Sequence, residues 1–112
     1  METLVYRQTV QPLQAGTLTR YMPFSGLFDD ALFHFPSGCN GLVEVLINHR
    51  TVQIFPFPPG GLALDDATER WRLNENVIKN DPIEVVVLNH DNLNPHTITV
   101  TIHIDETALE KK

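Results

Sequence analysis

The stretch His96-Thr97-Ile98-Thr99-Val100-Thr101-Ile102-His103-Ile104 decides the fold. Side chains alternate across an extended chain, so Ile98, Val100, Ile102 and Ile104 line one face while Thr97, Thr99, Thr101 and His103 line the other. The first face must be core. The threonine row reads as ordinary polar exterior.

Just upstream, Ile83, Val85 and Val87 share a face, but Val86 and Leu88 make the opposite face apolar too. That pattern predicts a central strand covered on both sides, for which a partner surface could supply the second cover. Further runs of β-branched and aromatic residues, separated by Gly, Pro and Asn, predict strands at 4–10, 17–22, 27–35, 41–48, 51–55, 62–64 and 70–73, beside 83–89 and 96–104. With helical periodicity nearly absent, the chain is all-β: a single antiparallel β-sandwich of about eight or nine strands. Jelly-roll, cupredoxin-like and immunoglobulin-like Greek-key orders are all compatible.

The eight prolines fall at the predicted strand ends, where a missing N–H breaks no ladder bond. Asn48-His49-Arg50 reads as the tip of a hairpin. Asp65–Glu69 is read as connection, with one helical turn capped by Asp66 as the lesser alternative. Residues 1–112 form one domain, with an N-terminal arm over about residues 1–10 and a charged tail at 105–112.

Apolar residues make up 42% and charged residues 20% of the sequence, the balance of a soluble globular protein. The opening Met1-Glu2-Thr3-Leu4-Val5-Tyr6-Arg7 has neither the basic start nor the apolar core of a secretory signal. No apolar run approaches a spanning length, so no membrane partner is expected. One cysteine, Cys39, cannot form an internal disulfide, and a reducing compartment such as a host cytoplasm fits. The net charge of −6 lies mostly in the second half, and the eight bases are scattered, which disfavours nucleic acid as a partner.

Candidate chemistry is sparse. His34 and Cys39 bracket the turn Phe35-Pro36-Ser37-Gly38 and could approach each other, but two ligands do not define a zinc site. His96 and His103, seven apart on one strand, point to opposite faces. Cys39 therefore reads as a small buried apolar group, His96 as a loop tie through a backbone hydrogen bond, and His49 and His90 as turn residues. Ser25 and Ser37 lack a nucleophile elbow, Cys39 has no cation beside it, and the pairs Asp29-Asp30 and Asp65-Asp66 suit turns better than a carboxylate dyad. No catalytic residue, cofactor or metal ligand is assigned, and the expectation is a protein that is not an enzyme.

The segment Val52-Gln53-Ile54-Phe55-Pro56-Phe57-Pro58-Pro59-Gly60-Gly61 is stiff and apolar. It folds onto its own core or anchors in a partner, with the interface slightly preferred. Trp71, Tyr6 and Tyr21 form no evident stacking platform, which weakens a carbohydrate-binding module as an alternative.

Two resemblances bear on function. The run Asn89-His90-Asp91-Asn92-Leu93-Asn94-Pro95-His96 resembles the cupredoxin segment in which a strand ends at Asn and a later one begins with a copper-ligating His. The second His and the downstream Cys that such a site needs are missing. Over much of residues 30–104, Leu32-Phe33-His34-Phe35-Pro36-Ser37-Gly38-Cys39-Asn40-Gly41-Leu42-Val43-Glu44-Val45, with Asn89-His90-Asp91 and Pro95-His96-Thr97-Ile98-Thr99-Val100, is similar to small β-sandwich accessory proteins of tailed-phage virions. That resemblance implies a decoration, cement or accessory capsid protein, located in the virion, self-associating and bound to other capsid subunits. Under it, the candidate contacts are Leu4, Val5, Tyr6, Phe55, Phe57 and Pro58.

Overall fold

In the computed structural model, which describes residues 2–56 and 61–105, the alternation of the deciding stretch is borne out residue by residue. Ile98, Val100, Ile102 and Ile104 are at most 1% exposed, and the intervening threonines are half-buried on the other side. The described strands are β1 (Glu2–Val10), β2 (Ala15–Tyr21), β3 (Gly26–Phe35), β4 (Val43–His49), β5 (Val52–Phe55), β6 (Ala67–Val77), β7 (Pro82–Asn89) and β8 (His96–Asp105).

They form two four-stranded sheets, in the orders β1-β8-β3-β6 and β2-β7-β4-β5, with every neighbour antiparallel. Strands pair first with last, second with seventh, third with sixth and fourth with fifth. This is the order made by wrapping one long hairpin around a core, and of the three compatible arrangements it selects the jelly roll. The inward residues of both sheets, among them Phe28, Phe33, Val45, Ile47, Val85 and Val87, make one continuous core. Phe33 and Phe55 stack across it with ring centroids 4.9 Å apart. Gly16 lets β2 approach β1: a Cβ there would lie 2.5 Å from Gln8 Oε1 and 2.9 Å from Val10 Cγ2.

Several expectations are corrected. The expected strand at 62–64 is a single bridge, Leu62 to Val45, and the short strand at 70–73 is part of the eleven-residue β6. β6 is an edge strand with polar residues on both faces, so it carries no apolar alternation to read. The hairpin between β4 and β5 turns at Arg50-Thr51, so of the expected tip Asn48-His49-Arg50 only Arg50 lies in the turn, where it takes a positive φ of 62°. Asp66 caps no helical turn, since β6 begins at Ala67, and the Oδ1 of neighbouring Asp65 accepts from the Gly38 and Asn40 amides at 3.0 Å. Residues 4–10, expected as a strand and counted in the N-terminal arm, do lie in the edge strand β1, paired along its whole length with β8. Of the charged tail, 106–112 lies outside the described residues.

Candidate functional site

The connections β1–β2, β3–β4 and β7–β8 converge at one end of the sandwich. The Leu13 amide donates to Asp91 O at 3.1 Å, the Asn89 amide to Gln14 O at 2.9 Å, and the His90 amide to Leu42 O at 2.8 Å. The β7–β8 connection is held from within by its own side chains. Asn89 Nδ2 donates to Val10 O and Asn94 O, both at 3.0 Å. The Asp91 carboxylate accepts from the Leu93 amide at 2.8 Å and the Asn94 amide at 3.3 Å. Short polar side chains folding back on their own backbone are what the sequence Asn-His-Asp-Asn-Leu-Asn favours.

Beneath this end lies an arrangement with the outline of a nucleophilic triad. His96 Nε2 donates to Asp91 Oδ2 at 2.8 Å, and its Nδ1 faces Cys39 Sγ at 3.8 Å. The physical chemistry opposes catalysis there. Cys39 is fully buried, and burial, reinforced by the negative charges of Asp65 and Asp91, pushes its thiol pKa up. A nucleophilic cysteine needs the reverse, a cation or helix N-terminus that favours thiolate. The hydrogen bond from His96, with those from the Leu93 and Asn94 amides, outweighs burial and holds Asp91 below the usual carboxylate range. The cluster therefore acts as a rigid buried peg. His96 ties the loop through side chains, not through the backbone bond expected of it, because Asp91 and Cys39 meet both ring nitrogens.

What this peg supports is an apolar tip. Leu13 is 69% exposed, Leu93 77% and Leu42 41%, one on each converging connection. Leu13 holds a positive φ of 58°, a conformation that costs a leucine roughly 1 kcal/mol. A cavity of about 210 Å³ opens beside it, walled by Leu13, Gln14, Ala15, Leu88, Asn89 and His90. The connections 11–14, 36–42 and 90–95 contain no lysine or arginine, while Asp65 and Asp66 lie exposed nearby in sequence to the bridge at Leu62.

The residues singled out from sequence are dispersed. Tyr6 is 1% exposed and Phe55 7%. Tyr6 donates its hydroxyl to Ile83 O at 3.1 Å, and burial, against the opposing charge of Arg20, pushes its phenol pKa up. Both side chains are committed to the core, so neither offers contact area as the chain stands. Leu4 packs partly against the core, Val5 points outward at 47% exposure, and Phe57 and Pro58 lie outside the described residues. His34 is exposed and bonds Thr68 at 2.8 Å, whereas Cys39 is buried and faces His96. Among the described residues no group of three or more His, Cys, Asp or Glu is placed to hold a metal. Trp71 tilts against Phe55 at 5.5 Å and donates to Glu69 at 3.1 Å. The tip leucines went unread, although an apolar residue between two asparagines, Asn92-Leu93-Asn94, was a signal.

Fold and site together define a class: a small jelly-roll β-sandwich presenting a leucine-tipped loop end. No family model matches the sequence, and no curated protein matches it. Among solved structures, PirA is similar at 13% identity, over 88% of this chain and 93% of its own, with a TM-score of 0.53. The Yersinia pseudotuberculosis-derived mitogen is similar at 8% identity, over 93% of this chain and 86% of its own, with a TM-score of 0.51. A third is PliG of Aeromonas hydrophila, a periplasmic lysozyme inhibitor, at 8% identity, over 92% and 86%, with a TM-score of 0.47. At such identities the likeness is one of fold.

Proposed function

We propose that this protein works by adhesion: it binds other protein subunits through its loop end and does not turn over a substrate. The observation that carries the reading is Leu13, held in a costly backbone conformation yet exposing most of its side chain beside Leu42 and Leu93. Exposed apolar groups on a braced scaffold are what a docking surface requires, since little ordering entropy is lost on binding. The buried, protonated Cys39 supports the non-catalytic half of the proposal.

In its narrower form the proposal is a decoration or accessory protein of a virion, made in the host cytoplasm and held on the capsid by these contacts. The jelly roll is an architecture that capsid domains use, as lectins and cupins also do, and the likeness of residues 30–104 to phage accessory proteins points the same way. Co-expression with a tailed-phage capsid protein, followed by gradient sedimentation and electron microscopy, tests it. The chain is expected on the particles, and Leu93→Asp is expected to release it. A chain that stays wholly at the top of the gradient defeats the narrower reading.

A further inference from the structure

The outward faces of the two sheets differ in chemistry. On β1-β8-β3-β6, register places Arg7 beside Thr99, Arg70 beside Leu32, and Arg72 beside Asp30. All three arginines are exposed. Asp30, re-aimed by the bulge at Asp29, is engaged by His103 and, at 3.5 Å, by Arg70. The middle of this face is the row Val5, Thr101, Leu32, which presents methyl groups.

On β2-β7-β4-β5 the outward positions reverse the sign. Glu84 and Glu44 alternate with Val86, Leu88 and Leu46, and no lysine or arginine occupies an outward position among the described residues. The apolar centre of Leu46, Val86 and Leu88 is only half-buried. The double-sided apolar pattern of β7 thus leaves a face whose centre is only half-buried among the described residues.

We propose that a second copy of this chain covers it, the arginine-threonine face of one copy stacking on the glutamate-leucine face of the next. The charges are complementary, and methyl-rich centres oppose each other. The β1-β8-β3-β6 face, about 30 Å long, offers roughly 600 Å², while β2-β7-β4-β5, whose strands run to eight residues at most, offers roughly 400 Å², so the contact belongs to the small, weak class of interfaces. Association is therefore reversible and salt-sensitive. Because two different faces meet, the contact is head-to-tail and builds a ring or an open stack. The inference deepens the adhesion reading by naming one partner, on surfaces separate from the leucine tip.

Sedimentation velocity on the whole chain tests it. Wild type is expected to associate with rising concentration at low salt and to dissociate at high salt. The variants R7E/R72E, which spares the Arg70–Asp30 pair, and Glu84→Arg should each weaken self-association by about a hundredfold or more, because like charges then face each other. An equimolar mixture of the two restores opposite charges across the contact and should re-associate. Three results overturn the proposal: a wild type monomeric at every concentration, an oligomer indifferent to salt, or folded variants whose mixture stays monomeric. If circular dichroism shows either variant unfolded, the salt titration of wild type decides alone. Leu93→Asp should self-associate normally. A monomeric wild type that still binds capsid through its tip would sink the stacking while sparing adhesion.

Discussion

His49 Nε2 stands 2.7 Å from Asp81 Oδ2, joining the last residue of β4 to the turn that precedes β7. The other ring nitrogen, Nδ1, lies 2.7 Å from Glu75 Oε2 on β6, so one imidazole bridges the two sheets at the end opposite the leucine tip. Arg50 adds a bond to Asp81 Oδ1 at 2.9 Å, and the Ile78 amide donates to Oδ2 at 2.9 Å.

This knot sets an acid limit on stability. Burial raises the Asp81 pKa, but the bonds from Ile78, His49 and Arg50 outweigh it and bring the carboxyl from 3.8 down to about 2. A depressed folded-state pKa means that the unfolded chain binds the proton more readily. The stabilisation is fully present above the unfolded value and is lost as pH falls toward 2. Urea midpoints across acid pH should show this decline. Asp81→Asn should flatten it and cost about 2 kcal/mol at neutral pH, by weakening charge-assisted bonds at a buried site.

Cys39 should be chemically silent in the folded protein. With its thiol buried and kept protonated, a thiol-reactive dye should label it only as denaturant unfolds the chain, along the same curve as circular dichroism. Rapid labelling under native conditions would show an accessible thiolate and reopen nucleophilic chemistry.

Asp91→Ala removes the acceptor for two amides and for His96. Hydrogen exchange at Leu93 and Asn94 should accelerate about tenfold or more while the β8 amides stay protected, since the loss is local. Uniform acceleration would mean that the peg holds up the whole fold.

Leu13→Gly separates conformational strain from contact. Glycine takes a positive φ without penalty but adds freedom to the unfolded chain, so stability should stay within about 1 kcal/mol. Capsid binding should fall with it, as with Leu93→Asp. Unchanged binding by both variants would count against the tip as the contact surface.

The sandwich was legible because β8 and β7 carry strict alternation that only a two-layer fold can bury. The loop end was not, because its leucines follow no period: their meaning comes from three connections, far apart in sequence, being hydrogen-bonded side by side. The same holds for Cys39 and His96. They are 57 residues apart, and only the strand order places them in contact. Phe55 reads as a contact because it lies in the stiff apolar segment 52–61, and Tyr6 because the virion resemblance counts the N-terminal arm among the contacts. The register turns both inward.

The pairing of β1 with β8, Glu2 against Ile104 through Val10 against His96, governs how the molecule is made. Translation delivers the first strand long before its neighbour exists, so the nascent chain must leave that ladder open until the last isoleucines have left the ribosome. Contacts of such high sequence separation make folding slow and late-closing. A premature stop before His96 would yield a species with β1 unpaired and one edge of β3 open, ready to pair with whatever strand it meets.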